Sequence, residues 1–516
     1  MNPSGAGPAS AGLAHLSEAV DAPRRSDEVK RGLWLAAAVL APRLLVFFVN
    51  ENLAGDAIVR TWLAHRWLEA PHLMTNFGDG PRQFGPLHLY LLAAAEMIWP
   101  SLLHAGRLLS LLVGSLTAWP LYFFTARRFG PAAATFSVLG FAFWGLHVQC
   151  STTSASEALN LLLVMSAVAL FDLERRGAWW GAVLMLNLAC ATRYDSWLLV
   201  PLLSAAEGWR SRSLVRAIGF GATASIFALF WLIGNQLGEG DPLFPLRYID
   251  QFHQEWWPRE ASVWGEWRYR FLCLLFWPGA AALMVTPFFA LAGGVMLPRA
   301  WKEHRELRWL VVLILVPTIL YAFRSAVSAS FAPMARFTMK EVLLLLPFSG
   351  WGVAVLAAKR PQMAWGGVLV AAAWCVGLGA FCFEPDSQWA FTLRSISATS
   401  RLEPSLRITT DWLQQTAAPV GGLLVVDEDP REFDDLVTSY FSGLAFQEQL
   451  RRRNDRYDEL LGAKSPRWLM LFEGGKMIRD REVTSLDAEQ VAYRGHRFQL
   501  RHSARVRVYE RIDGIE

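Results

Sequence analysis

The side chains with chemical potential are those that interrupt apolar sequence. Asp56 follows the segment NENLAG just beyond the first long apolar run, and Glu157 opens another. Arg193 and Asp195 flank Tyr194 between two short runs, and Arg336 and Lys340 stand four residues apart at the start of a later one. An acid at such a boundary suits proton abstraction from a hydroxyl. An Arg with a Lys suits a lipid phosphate or diphosphate, the first by forked hydrogen bonds and the second as a point charge. Arg43 lies inside the first run, thirteen residues before Asp56, where an uncompensated charge is too costly to persist, so it is read with Arg336 and Lys340 as a phosphate ligand.

Each of these groups also has a plainer reading. Asp56 reads equally as a helix cap in a favourable dipole. Ser154 followed by Glu157 fits a capping box, which is the slightly preferred reading of that acid over cavity lining. Arg193 and Asp195 form either a simple hairpin turn or part of a cavity wall, because charge at membrane depth needs protein or a cavity to cover it. Arg336 and Lys340 can also snorkel to headgroups. His253 with Glu255 invites a metal or a cavity-lining role, but two ligands without a third at useful spacing are weak grounds. Interfacial anchoring explains the nearby Trp256, Trp257, Trp264 and Trp267 better.

The elements that must position these groups are mostly membrane helices. Of 516 residues, 53% are hydrophobic and 18% charged, against roughly 25% charged in soluble domains. Residues 32–383 alternate apolar runs with short polar breaks, whereas 384–516 carry charge at ordinary globular density and alternate helical with β-rich patterns. The first region is expected to be an α-helical polytopic membrane domain and the second a small α/β accessory domain. Asp427, Glu428 and Asp429 close the run GGLLVVDED, where a solvated loop outweighs a metal site. The net charge of +4 is small and its cations are scattered, so nucleic-acid binding gains no support. Five cysteines, Cys150, Cys190, Cys273, Cys375 and Cys382, lie in or beside apolar runs without CxxC spacing and read as buried thiols. Residues 1–31 are rich in Gly, Ala, Ser and Pro and lack a signal-peptide core, which reads as a disordered cytoplasmic tail before an anchoring first helix.

A span needs about 20 apolar residues. Nine runs qualify: 32–49, 103–126, 131–148, 157–173, 214–234, 270–297, 309–325, 341–357 and 363–383; two shorter ones, 178–192 and 196–208, form a tight pair. About eleven spans put six basic clusters, from Arg24–Arg31 to Lys359 and Arg360, on one face, read as cytoplasmic. That count treats Pro86–Trp99, only fourteen residues with His88 and Glu96 inside, as re-entrant within a long external loop, 50–102. Residues 384–516 then lie on the extracytoplasmic side of the cell's inner membrane.

The early acid at Asp56, followed by FGPLHLYLLAA and HAGRLLSLLVGSLTAWPLYFFTARRFG, resembles membrane glycosyltransferases of the C-type (GT-C) fold. ATRYDSWLLVPLL, GDPLFPL and ARFTMKEVLLLLPF extend the resemblance to the protein mannosyltransferase, aminoarabinose transferase and RgtA/B/C/D-like branch, over roughly residues 30–383. It implies a polyprenyl-phosphate-linked sugar donor, a glycan, lipid or protein acceptor, and an active site outside the cytoplasm with Asp56 as general base. Members often carry an Asp-Glu pair there, whereas Ala57 follows here, and Glu157 is the nearest counterpart of a second-loop acid. No cofactor is implied with certainty; a divalent cation would be the candidate, without a supporting motif. The rival reading is a transporter or flippase, but no internal repeat of helical halves is visible.

Overall fold

The computed structural model describes residues 25–49, 55–383, 404–428, 434–445, 448–452, 457–463, 465–487 and 489–513. The expected tail up to residue 24, the thiol-bearing side chain of Cys382 and residue Asp429 lie outside these. Residues 25–31, read from sequence as tail, instead begin the first helix, α1 (Arg25–Val49).

After α1 come α2 (Gly55–Glu69), α3 (Pro86–Ile98), α4 (Ala105–Leu116), α5 (Ala118–Ala142), α6 (Gly145–Cys150), α7 (Ser156–Phe171) and α8 (Arg176–Thr192). A 3₁₀ turn, Tyr194–Leu198, joins α8 to α9 (Leu199–Ser211). Then follow α10 (Leu214–Ala224), α11 (Ile226–Glu239), α12 (Phe244–Trp264), α13 (Glu266–Val285), α14 (Pro287–Glu303), α15 (Arg308–Ala326), a 3₁₀ turn Ala335–Thr338, α16 (Met339–Lys359) and α17 (Pro361–Phe383). Among the described residues, five stretches are long and apolar enough to cross a membrane: Lys30–Val49, Ala105–Ala142, Glu266–Val285, Arg305–Ala326 and Ala335–Lys359. The pair α10 and α11, bent by 51°, makes a sixth if counted as one span.

Breaks in the helices have local causes. Within α5, Gly130 takes a φ of 86° just before Pro131, interrupting the helix where the sequence places a polar break after Arg127 and Arg128. The single expected span 270–297 is instead two helices. Pro287 cannot donate to the preceding turn, Thr286 before it leaves the helical region with a φ of 87°, and the Thr286 hydroxyl caps α14 by accepting from the Phe289 N–H. The two-helix unit still joins opposite ends of the bundle. Arg270 donates to the Ala326 carbonyl at the Asp56 end, and His304 lies against Phe129 at the other. The helix α3, thirteen residues long, reaches only about 20 Å, short of a bilayer's ~30 Å core.

The first half of α16 is buried almost without interruption, making it the axis of the bundle. Gly350 lets the α5 backbone approach, since a Cβ there would run into Ser137 and the Ala133 carbonyl, and Ser137 donates to the Leu346 carbonyl at 2.9 Å. The basic clusters gather at the end of this bundle opposite Asp56. Arg127 and Arg128 both pair with Asp172; Arg210 bonds the Phe171 carbonyl; Arg299 lies over Trp351, which stacks on Phe129.

The C-terminal region is a seven-stranded sheet, β1 (Leu423–Val426), β2 (Gln449–Arg451), β3 (Pro466–Phe472), β4 (Val483–Ser485), β5 (Gln490–Tyr493), β6 (His496–Ser503) and β7 (Val506–Arg511), in spatial order β2-β1-β3-β7-β6-β5-β4. β1 runs parallel to β2 and β3 and the remaining pairs are antiparallel. Alternation along the strands sends Leu424, Val426, Met470 and Val508 to one face and Val425, Leu469, Leu471 and Tyr509 to the other. The first face packs on α18 (Pro404–Trp412) and α19 (Asp434–Tyr440), and also on Ile58 and Trp62 of α2. The sheet therefore shares a core with the helix that carries Asp56, and Tyr440 donates across to the Leu102 carbonyl at 3.3 Å. Asp427 is a buried structural acid that accepts N–H bonds from Glu428 and Met477, each at 2.8 Å.

Trp62 is 6% exposed and lies 6.1 Å from the Tyr440 ring, so Trp62→Ala should cost about 3–5 kcal/mol at this junction. Limited proteolysis is expected to release the C-terminal region faster from the variant; an unchanged cleavage rate would show that the junction does not hold it.

Candidate active site

Seven charged side chains form two adjacent sets of ion pairs at the Asp56 end of the bundle. Arg336 pairs with Asp56; Arg60 with Glu157 at 3.7 Å; Arg193 with Glu157; Arg193 with Asp195 at 3.1 Å; and Lys340 with Asp195 at 2.8 Å. Asp56 and Arg60 stand one turn apart on α2, close enough for the guanidinium's field to act on the carboxylate, and so set the first pair beside the rest. Four cations face three carboxylates, an excess of one positive charge. Exposure is uneven in a way that matters: the side chains of Arg60, Glu157 and Lys340 are 4–5% accessible, whereas Asp56 is at 32%. The buried pairs form a fixed base, and Asp56 is its open end.

Six segments converge to make this arrangement. The start of α2 supplies Asp56 and Arg60, and the first turn of α7 supplies Glu157. Arg193 caps α8, and Asp195 begins the 3₁₀ turn. The 3₁₀ turn before α16 carries Arg336, and the first turn of α16 carries Lys340. Because α16 begins only at Met339, Arg336 and Lys340 do not run along one helix face. They bracket the cluster, each on a different acid. Burial pushes the Asp56 carboxyl up, but the guanidiniums of Arg336 and Arg60 outweigh it and hold Asp56 below its ordinary 3.8.

Several groups sit differently from their plainer readings. The capping box at Ser154 and Glu157 does not form: Ala155 is the N-cap of α7 with no side-chain cap bond, and Glu157 takes two guanidiniums instead. Charge pairing in a buried site outweighs one capping bond. Arg43 is fully buried and donates to the carbonyls of Val39, Phe141 and Ala142 while facing His147 Nδ1 at 2.9 Å. Its guanidinium is spent on the frayed end of α5, and among the described residues it shares no ion pair with Asp56, Arg336 or Lys340. His253 is buried against Phe331, ring centres 4.0 Å apart, and burial together with Arg336 and Arg324 pulls its imidazole down to about 3, so it stays neutral. Glu255 turns away to Gln251 at 2.9 Å. No three His, Cys, Asp or Glu converge on a metal position among the described residues, and each cluster carboxylate is already held by a cation. The described residues therefore do not fit a metal.

The sequence reading missed Arg60, although its position four residues after Asp56 on an amphipathic helix was the available signal. It also missed Glu341. That side chain is 5% exposed, neither carboxylate oxygen has a hydrogen-bond partner among the described residues, and it faces a groove of about 400 Å³. The groove runs between α13, α14, α15 and α16, from Thr338 and Tyr321 near the ion cluster down to Leu297, with an almost wholly apolar wall.

Comparison with known proteins follows this geometry. Residues 79–233 match the family model described as dolichyl-phosphate-mannose-protein mannosyltransferase. The structure is similar to ArnT from Cupriavidus metallidurans bound to undecaprenyl phosphate, at 12% identity and a TM-score of 0.62, covering 93% of this chain and 98% of that one. The apo state of the same protein aligns over 97% and 98% of the two chains, at 11% identity and a TM-score of 0.59. The Archaeoglobus fulgidus oligosaccharyltransferase, in a complex with Zn and sulfate, is similar at 14% identity and a TM-score of 0.52, covering 85% of this chain and 67% of that one. No curated protein sequence matches the chain.

Glu157→Gln keeps the side chain's size but strips Arg60 of its ion-pair partner and Arg193 of one of two. Breaking a buried pair from one side costs about 3–5 kcal/mol. Thermal unfolding of the detergent-solubilised chain should shift down by several degrees, and an unchanged Tm would mean that water or other donors already compensate these charges.

Proposed function

We propose that this chain, which has the GT-C fold of membrane glycosyltransferases, transfers a sugar from a polyprenyl-phosphate carrier to a hydroxyl of a glycan, lipid or protein acceptor. The observation that carries the reading is Asp56: the partly open carboxylate at the end of a buried network with one surplus positive charge, beside an apolar groove. A base, an anion site and a hydrocarbon site lie together, and a lipid-phosphosugar needs all three.

Donor binding sets the order of events. The isoprenoid chain lies in the groove along α13 to α16, and the phosphate draws Arg336 and Lys340 onto its oxygens, matching the surplus charge. Arg336 then relaxes its hold on Asp56, whose carboxylate is left to accept the acceptor's proton. The hydroxyl oxygen attacks the anomeric carbon as the bond from that carbon to the phosphate oxygen breaks. The electron pair leaves with the lipid phosphate, where the two cations spread its charge. Single in-line displacement inverts the anomeric centre. The basic clusters at the opposite end of the bundle support an Asp56 face, and with it the C-terminal sheet, on the extracytoplasmic side of the inner membrane.

Asp56→Asn should lower turnover by about 10²–10⁴ while leaving donor binding intact, measured with labelled polyprenyl-phosphate sugars in proteoliposomes. Full activity in a folded variant would remove the base assignment. Lys340→Met should instead raise the donor KM, because it takes charge from the phosphate site rather than from the proton path. The pH profile discriminates further. In the free protein a carboxyl held below its ordinary value stays ionised as pH falls, so kcat/KM should remain flat from pH 7 to about pH 4 and decline only below that. A decline starting near pH 6 would point to a different base.

A further inference from the structure

At the opposite end of α7 and α8 from the ion cluster, a cavity of about 430 Å³ opens among Arg175, Arg176, Arg210, Arg216 and the indoles of Trp179 and Trp180. Four arginines are far more charge than a helix end needs. Two are already neutralised: Arg210 and Arg216 share the buried Glu207, at 2.8 and 2.6 Å, and Arg210 also reaches Glu174 at 3.6 Å. Arg175 and Arg176 are different. Both are exposed, and neither forms an ion pair among the described residues. They occupy the N-cap and first position of α8, a helix of seventeen residues whose start has no side-chain cap, so its leading N–H groups are open to an anion. Gly177 behind them leaves open space, with no atom within 4 Å of where a Cβ would stand.

The surroundings of the cavity are apolar and uncovered. Trp180 is 54% exposed, and beside it Leu184 on α8 and Ile218 on α10 are 54% and 62% exposed. A small free anion would satisfy the arginines but leave these surfaces untouched. An amphiphile satisfies both: a phosphate headgroup against Arg175, Arg176 and the α8 N-terminus, with chains along Trp180, Leu184 and Ile218. Indole rings at that level suit the boundary between headgroup and hydrocarbon.

We propose that this cavity is a binding site for one anionic phospholipid. It stands at the far ends of the two helices that deliver Glu157 and Arg193, about 25 Å away along α7 and α8. It is therefore distinct from the donor site and independent of the transfer reading. The lipid's phosphate compensates the two unpaired arginines, and its chains cover an aromatic and aliphatic face that the protein leaves bare.

The full chain, purified in detergent and titrated with phosphatidylglycerol under native mass spectrometry, tests this. One phosphatidylglycerol should be retained in preference to phosphatidylcholine. Removing two cations in Arg175→Ala/Arg176→Ala should weaken retention roughly 30-fold, while Arg175→Lys/Arg176→Lys should keep most of it. Both positions are exposed, so the variants are expected to fold, which thermal unfolding verifies. Equal retention of phosphatidylcholine, or no loss in the alanine variant, would overturn the proposal. Displacement of the lipid by millimolar inorganic phosphate alone would overturn it too, by showing an anion site without chain contacts.

Discussion

Arg60 is tolerated in the interior because Glu157, shared with Arg193, lies within reach of it, and that condition governs much else in the structure. Each buried ion costs several kcal/mol unless its partner is in place. Glu157 therefore has to be delivered from α7, Arg60 from α2 and Arg193 from the end of α8, to within bonding reach of one another. The α8 turn then brings Asp195, Asp195 takes Lys340 from α16, and the axis of the bundle is tied to its periphery. A network of this kind adds little net stability compared with an apolar core. What it provides is uniqueness of arrangement, with each buried charge held in one position by a partner from another segment of the chain.

Part of this was visible in the amino-acid order. Asp56, Glu157, Arg193, Asp195, Arg336 and Lys340 stood out because each breaks apolar sequence, and the structure brings all six into one cluster. The short helix over Pro86–Ile98 and the break after Arg193 were legible for the same reason: length and charge are local properties. The failures were also physical. Arg43 has the same sequence signature as Arg336, a cation in apolar surroundings, yet it serves carbonyls at a broken helix end, and only the packing of α5 and α6 distinguishes the two. Glu157 fitted a capping box because that pattern is local, whereas its real partners lie 97 residues before and 36 residues after it in the chain. The division at Thr286 was available in the residue before Pro287 but was outweighed by unbroken hydropathy across 270–297.

Two kinds of surface remain after the core is accounted for. One is the groove below the ion cluster, whose wall is apolar except for Thr318, Tyr321, Thr338 and Glu341 near and along one side. The unpartnered Glu341 at its upper end is an anomaly for a structural residue and ordinary for a residue that meets a ligand. The other is the opposite, basic end, where charge exceeds what the local acids neutralise. The ion cluster and the opposite end thus each hold more arginine and lysine than their own paired acids neutralise, and the cluster also presents the partly open Asp56 carboxylate.

The shared core between α2 and the C-terminal sheet bears on how the protein becomes active during synthesis. Helix α2 ends at Glu69, and the first sheet-side residue packed with Ile58 and Trp62 is Leu406, so more than three hundred residues must be made in between. At roughly 5–20 residues per second, the helix bearing Asp56 waits some tens of seconds for the surface that completes its seat. Until then Asp56 and Arg60 rest on a helix with one face uncovered. The Asp56 carboxylate is thus seated late, by a region made long after its own helix, and a nascent chain that stops before Leu406 would hold the cluster's charges without the surface that seats α2.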